Sequence, residues 1–101
     1  MRYSIIGDEE TVLGFAIVGV LGKVATNAEE AQRAFQDTVA DKETSIVIVT
    51  ERVADMIRPT VDRYVFRESF PLVVEIPDRH GPMPSRPSVK EMVNAAIGLK
   101  L

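Results

Sequence analysis

Ser45–Val49, SIVIV, is the most strand-like run in the chain. Its isoleucines and valines follow one another with no polar alternation, the pattern of a strand buried on both faces of a parallel sheet. The run is therefore expected at the centre of such a sheet, with helices over both faces. Downstream, Thr50 is placed to cap a helix whose inner positions are Val53, Ile57 and, past a discontinuity, Val61, Tyr64 and Val65. Pro59 lacks an N–H and its ring clashes with the preceding turn, so the segment should kink or restart near Arg58. Phe70–Ile76 then reads as buried, with the strand itself over Leu72–Ile76.

Upstream of SIVIV the same alternation appears twice more. Tyr3–Ile6 reads as a strand closed by Gly7, with Asp8 as N-cap and Glu9 and Glu10 in the first helical turn, where negative charge favours the positive end of the helix dipole. From Val12 to Val20 the next segment, VLGFAIVGV, has no charged residue, and a helix apolar all round is expected to be covered on both sides. Gly14 and Gly19 would each cost roughly 1 kcal/mol in a helix interior, which a close backbone approach could offset. Leu21–Ala25, bearing Lys23, suits an edge strand. Thr26 and Asn27 each have a glutamate three residues on, Glu29 and Glu30, so either register makes a capping box. Ala31, Phe35 and Val39 form the inner face of the helix that follows.

The order β-α-β-α-β-α-β predicts an α/β fold: a small open four-stranded parallel sheet with helices on both faces, Rossmann-like or receiver-like. This body is expected over residues 1–77. Residues 78–87 continue a proline-rich joint; Pro77–Pro87 holds four of the six prolines. Residues 88–101 read as a C-terminal amphipathic helical arm, with Ser88 and Glu91 as capping box and Gly98 at its end. Val89, Met92, Val93, Ala96 and Ile97 make its apolar stripe.

Composition narrows the chemistry. The chain has 101 residues, a net charge of -3 and no cysteine. One domain is expected, with no disulfide, thiolate nucleophile or cysteine metal site. The acidic balance and the mixed charges of RPTVDR argue against a nucleic-acid surface. The longest apolar run falls far short of the ~20 residues of a membrane span, and the N-terminus does not read as a signal peptide. A soluble, cytoplasmic protein without direct membrane insertion is the expectation.

In folds of this kind ligands sit beyond the carboxyl ends of the strands, here Gly7–Glu10, Thr26 and Asn27, Thr50–Arg52 and Pro77–His80. Aspartyl phosphotransfer would need an acid after SIVIV, and Thr50 stands there. The first turn, GDEETVLG, has neither the glycine spacing nor the lysine of a phosphate cradle. His80 has no second histidine or cysteine with which to hold a metal. Ser85 and Asp78 share its proline joint, without the pre-organisation catalysis needs. The residues therefore point to no catalytic site, cofactor or metal.

Four features in order, SIIGDEETVLGFAIVGV, ADMIRPTVDRY, FPLVVEIPD with its following prolines, and AAIGLKL, make the chain resemble the F subunit of the V-type and A-type rotary ATPases of bacteria and archaea. The resemblance spans essentially the whole chain. It implies a non-catalytic component of the central rotor stalk that binds the coiled coil of the stalk's D subunit, and through it the catalytic head and membrane sector. It also implies a mobile C-terminal helix that modulates ATP hydrolysis, with the ATP sites on other subunits. Val89, Met92, Val93, Ala96 and Ile97 are then the expected partner-binding residues. The alternative is a stand-alone receiver-like regulatory or ligand-sensing module using the acids Asp8 to Glu10.

Overall fold

A computed structural model describes residues 2–77. The linker and arm expected over 78–101, with Val89, Met92, Val93, Ala96 and Ile97, lie outside the described residues. The elements run β1 (Arg2–Gly7), α1 (Glu9–Ile17), β2 (Gly22–Val24), α2 (Ala28–Ala40), β3 (Thr44–Thr50), α3 (Glu51–Met56), α4 (Arg58–Phe66) and β4 (Leu72–Ile76). They form a 4-stranded, all-parallel sheet in the order β2-β1-β3-β4. β3, the strand of SIVIV, is central, and the short β2 with Lys23 is an edge.

The caps explain where the helices start. The Asp8 carboxylate accepts from the Thr11 N–H at 3.2 Å and from its hydroxyl at 2.5 Å. Asn27 is the N-cap of α2, taking the Glu30 N–H at 2.8 Å, while the Glu30 carboxylate reaches back to the N–H and hydroxyl of Thr26. Those bonds, the hydroxyl's first, hold the Glu30 carboxyl below its ordinary pKa. Thr50 caps α3. The break between α3 and α4 falls at Ile57, with Pro59 in the first turn of α4, where its missing N–H costs nothing.

The first helix is shorter than expected. It stops at Ile17, and Gly19 adopts φ 90°. The Gly19 N–H donates to Ala16 O and the Val20 N–H to Phe15 O, the paired bonds of a Schellman end. Gly19 therefore terminates the helix and does not sit in its interior. β2 likewise spans only Gly22–Val24 of the expected Leu21–Ala25. A Cβ on Gly22 would lie 1.9 Å from the Ile5 carbonyl oxygen, so β2 approaches β1 through a position open only to glycine.

Register divides the sheet into two faces. Ile6, Val47, Val49 and Val73 belong to the core with Ala31, Ala34, Phe35, Val53, Ala54 and Val61 of α2, α3 and α4 and with Ile57 at the break between the last two. Phe35 is fully buried and meets Tyr64 edge-on at 5.3 Å. β1 to β2 and β2 to β3 run in opposite directions across the sheet, so right-handed crossovers place α1 on the other face, opposite α2.

Candidate partner interface

Beyond the carboxyl ends of the strands, where folds of this kind bind ligands, lies a cavity of about 200 Å³ lined by Asp8, Ala25, Thr26, Thr50, Arg52, Val53 and Met56. Three of its polar side chains are engaged close by in the chain. Asp8 and Thr50 cap helices, and Thr26 holds Glu30. The Thr50 side chain is buried, and its hydroxyl accepts from the Val53 N–H. A second cavity, about 280 Å³, opens beside the start of β1 and is lined by Arg2, Lys23, Asp37 and Asp41 among others. Arg2 is paired there with Asp41 and, at 3.3 Å, with Glu43. Among the described residues no group of three His, Asp or Glu is placed to hold a metal ion.

What distinguishes the molecule is apolar surface. On the face opposite α2, Tyr3, Ile46 and Leu72 form one row across β1, β3 and β4, and Ile5, Ile48 and Val74 form the next. α1 packs on β1 and β2 at one side of this face. Ile5 is buried, while Tyr3, Leu72 and Val74 are exposed and Ile46 and Ile48 only half-buried. The strand β4, expected to be buried, keeps only Val73 fully inside; Phe70 precedes the strand and is exposed. SIVIV is thus central but covered on one face only along β3 and β4, because no described helix follows α1 on that side.

α1 adds exposed apolar residues of its own. None of its residues is buried, and Leu13, Ile17, Val18 and Leu21 along it and just after it are all exposed. The expectation that this helix is covered on both sides does not hold within the described residues. Gly14 has open space around its Cβ position, so the fold itself offers no close approach there. Large apolar side chains exposed on both a helix and a sheet face are the signature of an interaction site.

A polar cluster lies on the covered side. The Arg58 guanidinium reaches Glu75 of β4 at 2.6 and 3.1 Å, Asp62 at 3.2 Å, and Asp55. Burial works against its charge, but the hydrogen bonds of Glu75, Asp55 and Asp62 and the charge of Glu75 outweigh it and raise the Arg58 pKa above its ordinary value. Asp55 and Asp62 fall at helical spacing from Arg58, but Glu75, 17 residues away, is joined to them only by the fold.

Over residues 4–93 the chain matches the family described as ATP synthase (F/14-kDa) subunit. The chain belongs to that family. It is 31% identical over its full length, and 99% of the relative's, to the A-type ATP synthase F subunit of Methanocaldococcus jannaschii. It is 30% identical, over 97% of this chain and 93% of the relative, to the corresponding protein of Methanothermobacter thermautotrophicus. It is also 34% identical to a probable V-type proton ATPase F subunit of Caenorhabditis elegans, over 95% of this chain and 86% of the relative. The family makes the chain an F subunit of a V- or A-type ATP synthase complex, and with it the apolar surface acquires a context in which subunits pack together. No described helix of this family member is long and apolar enough to cross a membrane.

Proposed function

We propose that the chain is a non-catalytic central-stalk component that binds the coiled coil of the D subunit and modulates ATP hydrolysis coupled to proton or sodium transport. The observation that carries this reading is the apolar surface of α1 and the β1, β3 and β4 face, on a body in which Asp8 and Thr50, at the strand ends, cap its own helices. An amphipathic helix is the natural complement of such a surface, and a coiled coil presents helices along its length. The stripe Val89, Met92, Val93, Ala96 and Ile97 lies along the partner coiled coil. The linker of residues 78–87 reaches ~33 Å when extended. It thereby lets the arm lie either on the partner or on the open face of its own body, and the exchange between the two modulates hydrolysis. The protein works in the cytoplasm, peripheral to the membrane, with the ATP sites on other subunits.

The test is capture of the D subunit by the full chain and by a chain ending at Asp78. Loss of affinity on truncation is expected; undiminished affinity would overturn the role of the stripe. Hydrogen exchange over α1 should slow on addition of the D subunit. Rates there that respond neither to this partner nor to truncation would remove α1 from the interface.

A further inference from the structure

Arg58 stands at the corner where α3 gives way to α4, and its guanidinium collects carboxylates from both helices and from the sheet. The contact with Glu75 is two-pronged: Nη1 donates to Oε2 at 2.6 Å and Nη2 to Oε1 at 3.1 Å. Nη1 also donates to Asp62 at 3.2 Å, and Nη2 to Asp55. The Arg58 and Glu75 side chains keep only 25% and 16% of their exposure. A bidentate pair so placed is screened less than a surface ion pair and is fixed in geometry as well as charge.

The position of Glu75 gives this cluster its significance. β4 pairs with β3 along one edge, and among the described residues its other edge is free. Leu72 and Val74 on its open face are exposed, so Val73 and Glu75 are the residues of β4 that face the covered side. Glu75 is the last but one residue of the strand.

We infer that Arg58 is a positioning residue: it latches the end of β4 to the corner between α3 and α4, and so holds the β4 side of the open apolar face in place. The second half of this statement rests on the proposed role of that face in binding the coiled-coil partner; the latch itself does not. Removing Arg58 takes away a cation that Asp55, Asp62 and Glu75 share, so the end of β4 should loosen before the rest of the sheet does.

The experiment is residue-resolved hydrogen exchange on the full chain carrying Arg58→Met, Arg58→Lys, or Arg58→Met with Glu75→Gln. In Arg58→Met the β4 amides should exchange about tenfold faster or more, with those of β1 and α2 unchanged. Arg58→Lys keeps the charge without the fork and should fall between. The double variant, which also removes the Glu75 charge that Arg58 balanced, should return towards the parent. Equal acceleration in every element, or none in β4, would overturn the latch; should Arg58→Met not fold, Arg58→Lys carries the same comparison. Affinity for the D subunit is read separately on the same variants. Weaker binding together with a loosened β4 supports the positioning role. A loosened β4 with unchanged affinity refutes that role while leaving the latch, and failure of the parent chain itself to bind the D subunit would refute only the proposed function.

Discussion

Replacing Leu13 and Ile17 together by glutamine separates what these residues do for the fold from what they do for a partner. They lie one turn apart on α1 and are 62% and 80% exposed. Full burial of such a side chain is worth about 1.5–3 kcal/mol, so ~1–2 kcal/mol for each is left ungained by the folded body. Glutamine keeps the side-chain length and matches leucine or improves on isoleucine in helix propensity. Urea unfolding of the double variant should therefore shift by less than ~1 kcal/mol. Calorimetric titration with the D subunit should show a loss of ~2–4 kcal/mol, roughly 30- to 900-fold in Kd. Unchanged affinity would refute the assignment of α1 to the interface. A stability loss as large as the affinity loss would refute the premise that the surface is held in reserve, since the side chains would then already be covered within the chain.

Two glycines should respond in opposite ways. Gly22→Ala drives a methyl into the Ile5 carbonyl and should cost at least ~2 kcal/mol in thermal or urea unfolding. Gly14→Ala meets open space in a helix interior and should stabilise the isolated chain by ~0.5–1 kcal/mol. For Glu30 the folded-state pKa is depressed, so its contribution is present above the unfolded value of about 4.3 and is lost as pH falls through the folded one. The stability difference between the parent and Glu30→Gln should accordingly be level near neutrality and shrink in acid; a difference that grows towards low pH would contradict that sign.

The parts of this protein that are legible in advance are those written in local chemistry. Asp8, Asn27 and Thr50 each mark a helix start because a side-chain oxygen must meet an orphan N–H within three residues. Pro59 marks the break near Arg58 for the same local reason. The Schellman end at Gly19 escapes a reading of the sequence although its glycine is in view, because VLGFAIVGV continues apolar past it and hydrophobic periodicity alone does not register a left-handed residue. Of the interaction surface, the apolar character of Leu13 and Ile17 is legible, but its exposure is not. The row of Tyr3, Ile46 and Leu72 is invisible, since its members come from separate strands and meet only through register.

The sequence by itself determined the alternation of strands and helices, the central place of SIVIV, the edge place of β2 and the absence of charge from Val12 to Val20. Caps, breakers and β-branched runs act over a few residues, and their physics is complete within them. Only the tertiary structure decided that one face of β3 and β4 stays open among the described residues and that Glu75 closes on Arg58. A run of isoleucine and valine has the same composition whether both its faces are covered by its own chain or one is left for a partner. Which of these holds depends on the strand order and on the side taken by each crossover, and those are settled between segments and not within them.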